Sequence, residues 1–261
     1  MTHASLATVS ELFSYKAAGF ELPEFPGYST DQWGIKAHNR PWIEAMGRFG
    51  HGLRIAEVGG AYSRLPEYLG KKYNLEPWVI DDFGIGSDEP IWSRWGNPTE
   101  LPAKYPTVRY SFNRMGHNSA EVPSGYFDRV FSVSTLEHIG AGDRLAVLKD
   151  IHRCLAPRGI ELHTIDVSVP RLKVLLAQWI AGKAAVLRRI EPRLRHDIDD
   201  WFSFIRESGV RISVESPNLI QLLARSTLVE SPDVVFRYYP PTNAAKPYRP
   251  AASLLVVIED L

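Results

Sequence analysis

A chain of 261 residues that is 44% hydrophobic is long enough to bury the core of one full-sized domain. Its 30 Lys and Arg balance 30 Asp and Glu, which removes the general electrostatic argument for nucleic acid as a partner. Cys154 is the only cysteine, so no disulfide closes within the chain and a cysteine-built zinc cluster is excluded.

The opening "MTHASLATVSELFSYKAAG" lacks the basic start and continuous apolar centre of a secretory signal. No uninterrupted apolar run is long enough to span a bilayer, and a soluble cytoplasmic protein is expected. Residues 1 to 50 are rich in aromatics and broken by Pro23, Pro26 and Pro41, a texture of short helices and loops with one helix around "RPWIEAMGRF".

From residue 51 strands and helices alternate. "LRIAEV" reads as a strand, "SRLPEYLGKKY" as a helix with Pro66 in its first turn, and "PWVIDDF" as a second strand ending on two carboxylates. "TVRYSF" and "FDRVFSVS" follow as strands. "TLEHIGAGDRLAVLKDIHRCL" reads as one helix stopped by "APRG", with Cys154 as a small core residue at its end. "GIELHTIDV" is a fifth strand. Strands apolar almost throughout belong to a parallel sheet covered on both faces. In such sheets ligands lie outside the carboxyl ends of the strands, where strand order reverses.

Residues 171 to 214 interrupt the alternation. Leu172, Leu175, Leu176, Trp179 and Ile180 keep helical spacing, and seven Lys or Arg against one Glu give residues 171 to 196 a formal charge of +6. The range is expected to be a helical insertion whose basic face is solvated; lining an anionic pocket or lying on a membrane surface are less favoured. "NLIQLLARS" reads as a further helix, "SPDVVFRYY" and "ASLLVVIED" as two closing strands.

The chemistry concentrates at the strand ends. Gly59, Gly60 and Ala61 leave the turn after the first strand nearly free of side chains, so a ligand can approach the backbone, and helix-start N–H groups beyond it suit a nucleotide. Glu57 sits inside the strand that feeds the turn. Asp81 follows Gly59 by 22 residues, the span of a strand-helix-strand unit, and a carboxylate there can grip a ribose diol. Asp82 competes with it, because one residue of slip reverses side-chain direction.

This combination, with "YFDRVFSVSTLEHI" and "CLAPRGIELHTI" downstream, resembles the class I S-adenosylmethionine-dependent methyltransferases, closest to the methyltransferase type 11 group, over residues 53 to 167. The resemblance implies a doubly wound, mainly parallel seven-stranded α/β sheet and S-adenosyl-L-methionine as cofactor. Glu57 and Gly59 match the family's first motif, Ala61 and Ser63 stand for its second and third glycines, and Tyr62 and Ser63 add bulk beside the methionine moiety. Gly60, Asp81 or Asp82 for the ribose, Asn113 for the adenine edge, and Ser132 and Ser134 at the fourth strand end complete the implied cofactor set. The segment of residues 1 to 50 would close over the site of the 51 to 261 domain, though Tyr28, Trp33 and His38 within it are expected mainly to pack on the sheet.

The expected reaction is methyl transfer to a small-molecule or glycan acceptor, favoured at oxygen, since His138, His163 and Asp166 lie where a base could take a hydroxyl proton. Two rival readings are an NAD(P)-dependent oxidoreductase on a related sheet and a non-catalytic protein that keeps the fold. Tyr68 and Lys72 mimic a dehydrogenase spacing but sit on a helix surface in the wrong place. No nucleophile elbow, zinc-protease motif or phosphate loop is present.

Overall fold

The computed structural model describes residues 2–8, 11, 14–15, 17–25, 38–84, 95–168, 176, 198–207, 212–214, 220–221 and 251–259. Its strands are β1 (Thr2–Leu6), β2 (Arg54–Val58), β3 (Glu76–Ile80), β4 (Arg109–Ser111), β5 (Phe127–Val133), β6 (Leu155–Ser168), β7 (Ile212–Val214) and β8 (Ala251–Glu259). Its α-helices are α1 (Asn39–Met46), α2 (Leu65–Tyr73), α3 (Leu101–Lys104), α4 (Arg144–Cys154) and α5 (Ile198–Glu207). The strands follow the order β4-β3-β2-β5-β6-β8-β1-β7 in one sheet.

The chain forms two compact units. One comprises Glu21–Tyr28, Ile43–His163 and Ile258–Leu261; the other comprises Met1–Phe20, Ser29–Trp42 and Thr164–Val257. In the first unit β2 pairs in parallel with β3 through Ile55↔Pro77 to Val58↔Ile80, and with β5 through Ile55↔Arg129 to Glu57↔Phe131; β3 pairs in parallel with β4. Order runs outward from β2 to β4 on one side and starts again at β5 on the other. The reversal between β2 and β5 is the switch point at which an open α/β sheet offers a ligand crevice.

The sequence explains these elements. Ile55, Ala56, Val58, Val79, Ile80, Val130 and Phe131 are buried, as an apolar run must be when helices cover both faces. Pro66 stands in the first turn of α2, where its missing N–H costs nothing, and Asn74 closes the helix in the left-handed conformation. Cys154 is buried at the end of α4, and burial pushes its thiol up to about 11, so it is an inert core residue.

Three expectations are corrected. Thr2–Leu6, expected among helices and loops, is a strand that pairs in parallel with β7 through Thr2↔Ile212 to Ala4↔Val214 and extends the expected doubly wound sheet. The range 171 to 214, expected to be helical throughout, contains α5 but closes on the strand β7. The helix expected from residue 135 begins only at Arg144. Leu136–His138 is a single 3₁₀ turn, and Gly140 and Gly142 then keep the chain from continuing as helix. Of "NLIQLLARS" only Ile220 and Gln221 are described, both helical, and "SPDVVFRYY" lies outside the described residues. Among those described, no helix is long and apolar enough to cross a membrane.

Candidate active site

The carboxyl ends of β2, β3 and β5 carry an unusual backbone. Gly59 and Ala61 after β2, Phe83 and Gly84 after β3, and Ser134 after β5 all have positive φ, at +69°, +43°, +52°, +63° and +51°. For an L-residue that region costs about 1–2 kcal/mol, and such strain gathers where function over-determines the backbone. Three strained non-glycine residues at three adjacent strand ends mark the crevice.

The turn is held from both sides. A Cβ on Gly59 would stand 2.0 Å from Thr135 Cγ2, so Thr135 occupies the space that the glycine leaves. The Thr135 hydroxyl is shared between Gly59 O and Val133 O, each at 3.3 Å. A Cβ on Gly60 would meet the Glu57 side chain at 3.0 Å. Glu57 is 1% exposed and lies under the turn. From the other side, Asp81 Oδ2 accepts the Ala61 N–H at 2.8 Å and Asp81 Oδ1 accepts the Phe83 N–H at 2.6 Å. Burial pushes the Asp81 carboxyl up to about 6, against the pull of those two N–H groups, with the Asp82 charge adding to the rise. Asp82 Oδ1 accepts the Gly84 N–H at 2.9 Å.

Tyr62 and Ser63, expected beside the methionine moiety, make protein contacts of their own next to the turn. The Tyr62 ring packs edge-on against Phe83 and Trp95, and its hydroxyl donates to Gly96 O at 2.6 Å. Ser63 Oγ accepts the Leu65 N–H at 3.2 Å and so serves the start of α2. With Ala61, Val79, Phe83, Leu101 and Val108, Tyr62 forms an apolar cluster beside the turn, and Phe83 stacks tilted on Phe112 at 5.3 Å. Asn113 spends its amide nitrogen on Ser111 Oγ at 2.9 Å and Glu121 at 2.5 Å.

Ser132 and His163 also bond within the protein. Ser132 Oγ lies 2.8 Å from His163 Nδ1, and His163 Nε2 lies 3.3 Å from Glu161 Oε2. Glu161 Oε1 in turn stands 2.6 Å from His152 Nδ1 on the last turn of α4, an ion-pair distance. Ser132, Glu161 and His163 are at most 1% exposed. Facing the carboxylate, Nε2 carries the proton, so Nδ1 accepts from the serine hydroxyl. A base must reach the proton it takes. Both nitrogens of His163 are thus engaged inside the sheet, one with Ser132 and one with Glu161. The sequence hid this because residues two apart on a strand share a face, and the apolar run of β6 did not show which face.

His138 ends the 3₁₀ turn after β5 and is exposed, with its backbone N–H bonded to Thr135 O at 3.0 Å. Asp166 is half-buried near the end of β6, in the other unit. In that unit His38 is fully buried, 3.6 Å from Glu11 Oε2 and edge-on to Tyr15. Tyr28 and Trp33 lie outside the described residues. Lys72 bonds Tyr68 at 2.9 Å and pairs with Glu44 at 2.6 Å, which pins α2 to α1. Thr135 is the residue whose role was not legible, although it lies in the "STLEHI" stretch.

A small-residue turn, flanking carboxylates and strained strand ends thus meet at the switch point of a doubly wound sheet, the place where open α/β sheets offer a ligand crevice. The family described as the methyltransferase domain matches residues 101–162, the stretch from α3 through the first half of β6. No curated protein matches the chain. Among solved structures it is similar to the YcgJ protein from Bacillus subtilis, 10% identical with a TM-score of 0.48 over 85% of this chain and 97% of that one. It is also similar to a TehB-like SAM-dependent methyltransferase from Corynebacterium glutamicum, 15% identical with a TM-score of 0.47 over 96% and 95%. Geranyl diphosphate C-methyltransferase from Streptomyces coelicolor is 14% identical with a TM-score of 0.47 over 99% and 91%. These scores fall below the level at which a shared fold follows. Over residues 101–162 the chain is thus similar to a methyltransferase domain, on a sheet of this strand order.

Ala61 offers a direct test of the turn. Glycine at this position removes the left-handed cost but frees the unfolded chain, which takes back about 0.4–1 kcal/mol. Ala61→Gly is expected to raise stability by about 0.5–1 kcal/mol, seen as a higher urea midpoint at unchanged slope. A lower midpoint would show that Ala61 carries no strain.

Proposed function

We propose that the protein transfers a methyl group from S-adenosylmethionine to a hydroxyl of a small molecule or sugar, with the cofactor lying across the ends of β2 and β3. The observation that carries the reading is the strained turn after β2 set between the buried Glu57 and the Asp81–Asp82 pair. The residues present fit the cofactor: carboxylates for hydroxyl and ammonium donors, a turn nearly free of side chains, and the aromatic faces of Phe83 and Phe112 beside them.

When bound, the cofactor supplies an already activated methyl on a sulfonium. The protein therefore has to position and deprotonate. Glu57 and the turn orient the donor end, and the acceptor hydroxyl loses its proton as oxygen bonds the methyl carbon and the carbon–sulfur bond breaks. His138 takes that proton; it is exposed and follows the strand end that borders the switch point. Holding donor and hydroxyl in line supplies most of the rate. A reducing cytoplasmic compartment suits a chain with one buried cysteine.

The experiment is methyl incorporation from labelled S-adenosylmethionine into a panel of hydroxylated small molecules and sugars, followed by product analysis. Methyl ethers are expected, and methylation only at nitrogen or carbon would overturn the oxygen assignment. With an acceptor in hand, His138→Gln should lower turnover by about 10²–10⁴-fold while adenosylhomocysteine affinity stays unchanged. Wild-type turnover in His138→Gln would remove the base.

A further inference from the structure

Asp81 has both carboxylate oxygens committed to backbone before any ribose is considered. Oδ2 takes the Ala61 N–H at 2.8 Å and Oδ1 takes the Phe83 N–H at 2.6 Å. The two donors belong to different strand-end loops, and both residues are in the left-handed conformation, at +43° and +52°. Neither alanine nor phenylalanine adopts that backbone on its own account. Something must hold it, and a carboxylate accepting an N–H from each loop is suited to do so. Asp82, next in the chain, accepts the Gly84 N–H two residues on, and among the described residues no hydrogen bond joins it to the turn.

We propose that Asp81 is a positioning residue for the cofactor turn: it clips the loop after β2 to the loop after β3 and sets the turn geometry on which cofactor affinity depends, in addition to any bond it makes to ribose. The inference rests on the reading that S-adenosylmethionine lies at these strand ends. Its physical basis is preorganisation. A turn already in its binding conformation does not have to be ordered when the ligand arrives. The carboxyl, with its pKa near 6, is ionised at neutral pH and presents both oxygens as acceptors. A residue whose only task was to read the diol would have its oxygens turned to the ligand, with no need to join two loops.

The two roles separate when the ribose hydroxyls are removed from the ligand. Adenosylhomocysteine and its 2′,3′-dideoxy analogue are titrated calorimetrically into wild-type protein, Asp81→Asn, Asp82→Asn and the double variant Asp81→Asn/Ala61→Gly. The clip predicts that Asp81→Asn binds the dideoxy analogue at least fivefold more weakly than wild type does, because the damage lies in the turn. It predicts that Asp82→Asn shows no such loss, and that Ala61→Gly restores part of the affinity by removing the conformation that needed holding. A general loss of structure would not be rescued in this way, and urea unfolding of each variant checks that it is folded. Equal binding of the dideoxy analogue by wild type and Asp81→Asn would overturn the proposal and leave Asp81 a reader of the diol. Failure of wild-type protein to bind adenosylhomocysteine at all would instead remove the cofactor reading beneath it.

Discussion

Gly59→Ala is expected to cost about 2–5 kcal/mol of stability, two effects acting together. The first is conformational: an L-residue at φ +69° pays about 1–2 kcal/mol. The second is steric. The new Cβ would lie 2.0 Å from Thr135 Cγ2, 2.7 Å from its Oγ1 and 2.9 Å from its Cβ, none of which real structures tolerate. Moving Thr135 would break its hydroxyl contacts to Gly59 O and Val133 O, and overpacking of this kind costs about 1–3 kcal/mol. A domain is stable by only about 5–15 kcal/mol, so the loss is visible in urea unfolding at once. Thr135→Ala removes Cγ2 and Oγ1 and should recover part of it. The double variant then separates the steric share from the backbone share. A Gly59→Ala midpoint equal to wild type would mean that the turn is looser than these contacts describe.

The same turn shows where sequence reasoning reaches and where it stops. β2, β3 and β5 were legible because a strand buried on both faces must be an apolar run, and the glycines after β2 announce a close backbone approach. Glu57 and Asp81 could be placed at strand ends by counting alone. The left-handed backbone of Ala61 could not, since alanine carries no sign of it; only the bond from its N–H to Asp81 explains it. β1 was not legible either. Its partner β7 lies at the far end of the chain, and a five-residue strand takes its stability from that pairing rather than from local propensity. The contacts of Ser63 and Tyr62 were not legible either. A hydroxyl near a helix start is drawn to the free N–H groups there, and Tyr62 packs edge-on against Phe83 and Trp95.

Glu161→Gln is expected to destabilise the protein by about 1.5–3 kcal/mol at pH 7, the range for a hydrogen bond to a charged group. Glu161 is fully buried between His152 Nδ1 at 2.6 Å and His163 Nε2 at 3.3 Å. Burial alone would push its carboxyl up; the contacts with His152 and then His163 outweigh that and leave it below the ordinary 4.5. The sign of the pH dependence follows. A carboxylate whose folded pKa lies below its unfolded value adds stability that is present above about 4.5 and is lost as pH falls through the lower, folded value. The gap between wild type and Glu161→Gln should therefore be full at pH 7 and narrow steadily as the protein is acidified below 4.5. Glutamine keeps the volume, so the gap reports charge and not a cavity. Ser132→Ala serves as the comparison: it removes only a neutral hydrogen bond to His163, worth about 0.5–1.5 kcal/mol, with no acid dependence of its own. Urea unfolding of the three proteins at pH 7 and pH 4 measures both. A gap for Glu161→Gln that is below about 1 kcal/mol at pH 7, or that does not change on acidification, would show that the carboxylate is not held as an ion between the two imidazoles.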